Sequence, residues 1–144
     1  MFFGQFDHNI DDKGRLTIPA RYRDLLESGA YITLGFDKNL LVLRNEEYDK
    51  LYHKVAGMSI TNRRARDLAR SLFGNAVKLE IDNAGRILIP QFLRSEVGLT
   101  SAVKLVGIGP YFEIWAPETW QENNRMIEDA ETRATMFEGL DLTL

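Results

Sequence analysis

Short runs of alternating apolar and polar residues recur along this chain. In "RLTIP" (15–19), Leu16 and Ile18 share one face while Arg15 and Thr17 share the other. "RILIP" (86–90) repeats the arrangement, with Ile87 and Ile89 opposite Arg86 and Leu88. Each run follows an Asp-x-x-Gly stretch, Asp11 to Gly14 and Asp82 to Gly85. Aspartate accepts backbone N–H bonds within a turn and glycine tolerates a positive φ, so each copy is predicted to open as strand, tight turn, strand.

The pattern then changes period. Pro19 and Pro90 end the strands and suit the first turn of a helix. "PARYRDLLESG" carries Tyr22, Leu25 and Leu26 at helical spacing before Gly29, and "PQFLRSEVGL" carries Leu93 and Val97 before Gly98. "YITLGFDKNLLVL" and "AVKLVGIGPYFEIW" each hold two apolar runs around turn residues, which predicts a further hairpin per copy. A longer helix closes each copy: Asn45 is predicted to cap "EEYDKLYHKVAG", and Pro117 to open "ETWQENNRMIEDAETRATMFEG". Between the copies, "TNRRARDLARSLFG" predicts a bridging helix with Ala65, Leu68, Ala69 and Leu72 as its buried stripe and Gly74 as its cap.

"DDKGRLTIP" (11–19) and "DNAGRILIP" (82–90) are offset by 71 positions without a gap, and five of their nine residues agree. No Ser/Gly-rich linker separates the halves, and a four-stranded unit of this size would bury little apolar surface alone. The expectation is one pseudo-twofold domain with a shared core, mainly β with peripheral helices. Its parts are residues 1–57, a bridging helix over 58–74, and 75–144 with a long C-terminal helix.

Composition narrows the function classes. The absence of cysteine excludes a disulfide frame, a thiol nucleophile and a cysteine zinc site. His8 and His53 lie far apart, and no Walker loop, nucleophile elbow or His-Glu-x-x-His helix occurs. No enzyme, cofactor or metal site is expected. No signal peptide or membrane-length apolar run is evident, so a cytoplasmic location is expected. Net charge is −3, yet residues 1–74 hold 12 Lys/Arg against 10 Asp/Glu, and residues 75–144 hold 6 against 11. That asymmetry is compatible with a basic face and an acidic back.

The repeated charged residues are the candidate chemistry. A guanidinium offers five donors in a planar fork that suits phosphate oxygens or guanine O6 and N7. Arg15 and Arg86 each sit beside a glycine, where a duplex can approach the backbone. Asp11 and Asp82 could pre-set them, or the Asp–Arg pairs could simply close hairpins; the residues alone leave both readings open. Lys13 is assigned to phosphate and Arg21 to either role. Arg23 and Arg94, repeated at the same offset, read as structural ion pairs with the opposite half. Asp67 lies among Arg63, Arg66 and Arg70 at helical spacing, which favours a solvated, ion-paired face for the bridging helix. In the C-terminal helix, Trp120, Ile127, Ala130, Ala134 and Phe137 form a stripe, assigned first to docking on the protein's own barrel and second to a subunit contact. The alternating tail 140–144 is the better candidate for a neighbouring subunit.

The doubled Asp-x-x-Gly-Arg turn with its trailing Ile-Pro, the opening "MFFG" and the length together closely resemble the MraZ family over essentially the whole chain. The resemblance implies tandem SpoVT-AbrB or MazE-like modules in a swapped-hairpin, double-split β-barrel. It implies a sequence-specific DNA-binding transcriptional regulator, nucleoid-associated, a repressor of the division and cell-wall gene cluster that binds promoter direct repeats as a ring-like homo-oligomer. Carried onto this sequence, Arg15 and Arg86 become DNA-contacting residues with Lys13 and Arg21 beside them, and Asp11, Gly14, Asp82 and Gly85 become turn supports. The second copy has Ala84 and Phe92 where the first has Lys13 and Arg21. An antitoxin-like protein-interaction module on the same barrel is the alternative.

Overall fold

The computed structural model describes residues 1–143. In the first half, strands β1 (Gln5–Asn9) and β2 (Arg15–Thr17) precede helix α1 (Ala20–Arg23), which tightens into a 3-10 turn at Asp24–Leu26. Strands β3 (Ala30–Leu34) and β4 (Leu40–Arg44) and helices α2 (Asn45–Ala56) and α3 (Arg63–Leu72) come next. The second half runs β5 (Val77–Leu79), β6 (Arg86–Leu88), α4 (Gln91–Glu96), β7 (Ala102–Gly107), β8 (Tyr111–Trp115), α5 (Pro117–Glu128) and α6 (Ala130–Met136). The protein is mainly β-sheet with several helices around it.

The β3–β4 and β7–β8 hairpins form where their turn residues require them. They lie side by side through β4 and β8, with Val42 opposite Phe112. The opening strands do not form the local hairpins that the alternation predicts. β1 pairs instead with β7 of the other half, and β5 pairs with β3. β2 and β6 leave the sheet and pair with each other. Among the described residues this gives a sheet ordered β1-β7-β8-β4-β3-β5, with β1 and β5 as open edges, and a separate β2–β6 ribbon. Each turn still reverses the chain, since Asp11 N–H donates to Arg15 O and Asp82 N–H to Arg86 O. Beyond it the two strands separate to different partners, because Ile10 and Leu16 make only a single bridge.

The core lies where the ribbon's inner face meets the sheet. Leu16, Ile18, Tyr22 and Leu26 are buried, as are their counterparts 71 positions later, Ile87, Ile89, Leu93 and Val97. Burying each such side chain is worth about 1.5–3 kcal/mol, so the core depends on both halves at once. "MFFG" has a packing role here. Phe2 is fully buried, its ring 5.0 Å from Tyr22 in an edge-on contact and 5.2 Å from Phe112. Gly107 admits the N-terminal segment, since a Cβ there would lie 2.5 Å from Phe3 N.

Helix ends depart from expectation in three places. Asn45 is already helical, and its side-chain amide donates to Ser28 O at 2.6 Å instead of capping α2. α3 is capped by Asn62 at its start and by Phe73 at its end. Gly74 serves close packing instead, because a Cβ there would lie 2.4 Å from Arg70 O. Of the bridging helix's predicted stripe, Leu72 is buried while Ala65, Leu68 and Ala69 are half-buried. The long C-terminal helix breaks at Asp129, whose extended backbone (φ −76°, ψ 116°) frees its carboxylate to accept Thr132 N–H and start α6. Trp120 packs edge-on against Trp115 at 5.3 Å and Ile127 is half-buried, but Ala130, Ala134 and Phe137 are exposed. The predicted docking of the stripe therefore holds for α5 and fails for α6. Leu144, the end of the tail assigned to a neighbour, lies outside the described residues.

Candidate nucleic-acid interface

The two glycine turns are built alike. In the first, Asp11 Oδ1 accepts the N–H groups of Lys13 (3.0 Å) and Arg15 (2.9 Å), and Asp11 Oδ2 accepts Arg15 Nε–H at 2.9 Å. In the second, Asp82 Oδ1 accepts Ala84 and Arg86 N–H at 2.9 Å each, and Asp82 Oδ2 accepts Arg86 Nε–H at 2.9 Å. Gly14 (φ +83°) and Gly85 (φ +77°) occupy the left-handed conformation that closes each turn. The backbone N–H of Arg15 and then its guanidinium hold the Asp11 carboxyl below the usual carboxylate range; Arg86 does the same for Asp82. With Nε committed, the terminal nitrogens of both arginines carry no hydrogen bond among the described residues.

The β2–β6 ribbon brings the turns together. Its register sets Arg15 opposite Leu88 and Thr17 opposite Arg86, with Leu16 and Ile87 turned into the core. Directly opposed side chains share a face. Arg15, Leu88, Arg86 and Thr17 therefore form one outward cluster, the arginines diagonal to each other at a spacing of about 7–8 Å. Both are about one-third exposed.

The turns are also laced across the halves. Ile18 N–H donates to Gly85 O and Ile89 N–H to Gly14 O, both at 2.9 Å. Arg23 Nε–H donates to Ile18 O at 2.8 Å with its guanidinium lying on Gly85, where a Cβ would come within 2.6 Å of it. Arg94 donates to Ile89 O at 3.0 Å and lies on Gly14 in the same way. The predicted ion pairs of Arg23 and Arg94 with the opposite half are thus replaced by contacts with its glycine turn. The strand exchange places each arginine over the opposite turn, and the shared 71-residue offset of the arginines and glycines was the available signal.

Comparison with known proteins bears on this arrangement. The family described as "MraZ protein, putative antitoxin-like" matches the chain twice, over residues 1–71 and 72–138. The Transcriptional regulator MraZ of Roseiflexus sp. (strain RS-1) is 42% identical over 137 residues, covering 95% of this chain and 94% of that protein. That of Thermomicrobium roseum is 42% identical over 120 residues, 83% of this chain and 84% of the relative. That of Alkaliphilus metalliredigens is 40% identical over 124 residues, 86% and 87% respectively. The chain belongs to the MraZ family.

The two halves of this MraZ-family chain differ outside the shared turn. Lys13 is exposed at the tip of the first turn, where the second has Ala84. Arg21 is exposed with its guanidinium 5.5 Å from the centre of the Phe6 ring; its counterpart Phe92 is exposed as well. The bridging helix is an ion-paired face, since Asp67 meets Arg70 at 2.8 Å and Arg63 at 3.6 Å, and Arg66 donates to Ile60 O. His8 is half-buried on β1, and His53 lies 3.5 Å from Asp49 on the surface. Among the described residues no group of three or more His, Asp or Glu side chains could hold a metal ion, and no helix is long and apolar enough to cross a membrane.

Proposed function

We propose that this protein is a transcriptional regulator that binds double-stranded DNA through the outward face of the β2–β6 ribbon. The observation that carries the reading is that Arg15 and Arg86 lie on one outward ribbon face, each fixed through Nε by its own turn aspartate and each with free terminal donors. A two-stranded ribbon fits the major groove, and a pre-set guanidinium loses less freedom when it meets guanine or phosphate. Lys13 and Arg21 extend the cationic edge from the first half toward phosphates. Asp11, Gly14, Asp82 and Gly85 hold the turns. The curated relatives' name, Transcriptional regulator MraZ, supports the same role and argues against an enzyme. Exchange of β1 and β5 between halves supports an AbrB-like double-split arrangement of two modules, 1–57 and 75–144, joined by 58–74. Its setting is the cytoplasm, at the nucleoid.

So few cations on a net-acidic chain bind a polyanion weakly, and binding falls steeply with salt. Assembly as a ring-shaped homo-oligomer would set several ribbons against promoter direct repeats and raise avidity by roughly 10²–10⁴. The uncovered apolar residues of α6 and the tail, with Leu140 and Leu142 mostly exposed, supply a contact for it. The test is a gel shift with the duplex upstream of the protein's own gene, scored beside particle mass. Arg15→Ala is expected to abolish the shift at unchanged mass, and full binding by the folded variant rejects the assignment. Deleting residues 139–144 is expected to lower the mass; an unchanged particle rejects the tail contact.

A further inference from the structure

The ribbon is nearly twofold in backbone but not in chemistry. Arg15 faces Leu88, whereas Arg86 faces Thr17. Leu88 is 56% exposed between Ile87 and Ile89, which are 1% and 0% exposed. The fold does not ask for leucine there. The matching position of the other strand holds Thr17, also outward, with the same backbone pairing. On the same half, Phe92 is 52% exposed where the first half carries Arg21. Leu88 also walls a shallow, mostly apolar dent of about 280 Å³ with Val77, Leu79 and Pro90, which Lys78 and Glu80 line as well. An apolar side chain that is more than half exposed, in direct register with an arginine whose terminal nitrogens are unbonded, is well placed against a base edge. In the major groove the complementary apolar group is the thymine C5-methyl.

We infer that Leu88 is a specificity-determining residue that contacts a thymine methyl beside the base met by Arg15. The pair gives the ribbon a direction on DNA: its Arg15–Leu88 pair reads an apolar base edge and its Arg86–Thr17 pair a polar one. The inference rests on the DNA-binding reading above and adds the chemistry of one position.

The experiment uses the full chain and the duplex upstream of its own gene, synthesised with thymine or with deoxyuridine throughout. Burial of one methyl group corresponds to roughly a fourfold change in affinity. Wild-type protein is expected to lose at least about fourfold on the deoxyuridine duplex. Leu88→Thr, which installs the residue the other strand already carries and leaves a single methyl, is expected to lose most of the preference and to bind the thymine duplex near the level of wild type on deoxyuridine. Leu88→Val, still apolar, is expected to keep most of the preference. A Leu88→Thr protein with the full thymine preference, or a wild type without one, overturns the inference while leaving DNA binding intact. Loss of both duplexes by Leu88→Thr would mark a structural role and overturn it too. Absence of any wild-type shift overturns the DNA reading itself and this inference with it.

Discussion

The turns at Asp11–Arg15 and Asp82–Arg86 differ by no more than 0.1 Å in the three hydrogen bonds to their aspartates. Around the shared Asp–Arg pairs, three outward positions differ in charge or polarity: Lys13 against Ala84, Thr17 against Leu88, Arg21 against Phe92. The inward positions stay apolar in both halves because all are buried in the shared core, where Leu16 lies directly across the ribbon from its counterpart Ile87. Outward positions carry no such constraint. The comparison separates what holds the ribbon from what the ribbon presents, and four experiments bear on it.

The largest difference is expected between the two arginines. A hydrogen bond to a charged group is worth about 1.5–3 kcal/mol, so one lost contact costs roughly ten- to 100-fold in affinity. Arg15→Ala is expected to reach the upper end, because its half also carries Lys13 in the same turn and Arg21 on the following helix, and Arg86→Ala the lower end. Equal losses by titrated gel shift would show that the cations flanking the first turn do not matter.

Next come the glycines. Gly14→Ala and Gly85→Ala each place a side chain at positive φ and displace the guanidinium laid on the turn. Each is expected to cost about 1–3 kcal/mol by denaturant unfolding. Gly98→Ala, also at positive φ (+70°) but with open space around it, should cost less than either.

A smaller effect tests the asymmetry from the other direction. Phe92→Arg gives the second half the cation that the first has at Arg21. It is expected to tighten binding a few-fold at low salt and to steepen the salt dependence by about one unit of log–log slope. An unchanged slope would place position 92 away from the duplex.

The smallest effect is electrostatic. The folded pKa values of Asp11 and Asp82 lie below the unfolded value of 3.8. Their contribution to stability is therefore present above that value and is lost as pH falls through the lower, folded one. Acid unfolding of the Asp11→Asn, Asp82→Asn double variant should show a shallower decline over that window, read by circular dichroism. A decline as steep as wild type would mean that neither pair is coupled to folding.

The sequence made some of this legible and hid the rest for physical reasons. The β3–β4 and β7–β8 hairpins could be read because their turns are local and each first strand pairs with the next strand along the chain. Alternation in β1 and β2 showed which face is inward, but it carries no information about which strand lies alongside. An exchanged partner and a local one demand the same periodicity. The break at Asp129 was masked because the apolar stripe continues across it at helical spacing; aspartate before Ala130 and Thr132 was the capping signal. Arg15, Arg86 and their aspartates were visible as repeats. That both arginines lie on one ribbon, with Arg23 and Arg94 over the opposite glycines, needed the long-range pairing of β2 with β6.

The exchanged topology also bears on how the chain is made. β1 occupies residues 5–9, yet its sheet partner is residues 102–106. On a ribosome, the first strand leaves the exit tunnel long before its mate has been translated, and β2 must likewise await β6. The nascent first half thus exposes unpaired edges throughout most of elongation, and closing so distant a pairing is slow. For such a polypeptide, pausing or chaperone supply late in translation would govern yield more than the strength of any single contact in the finished fold.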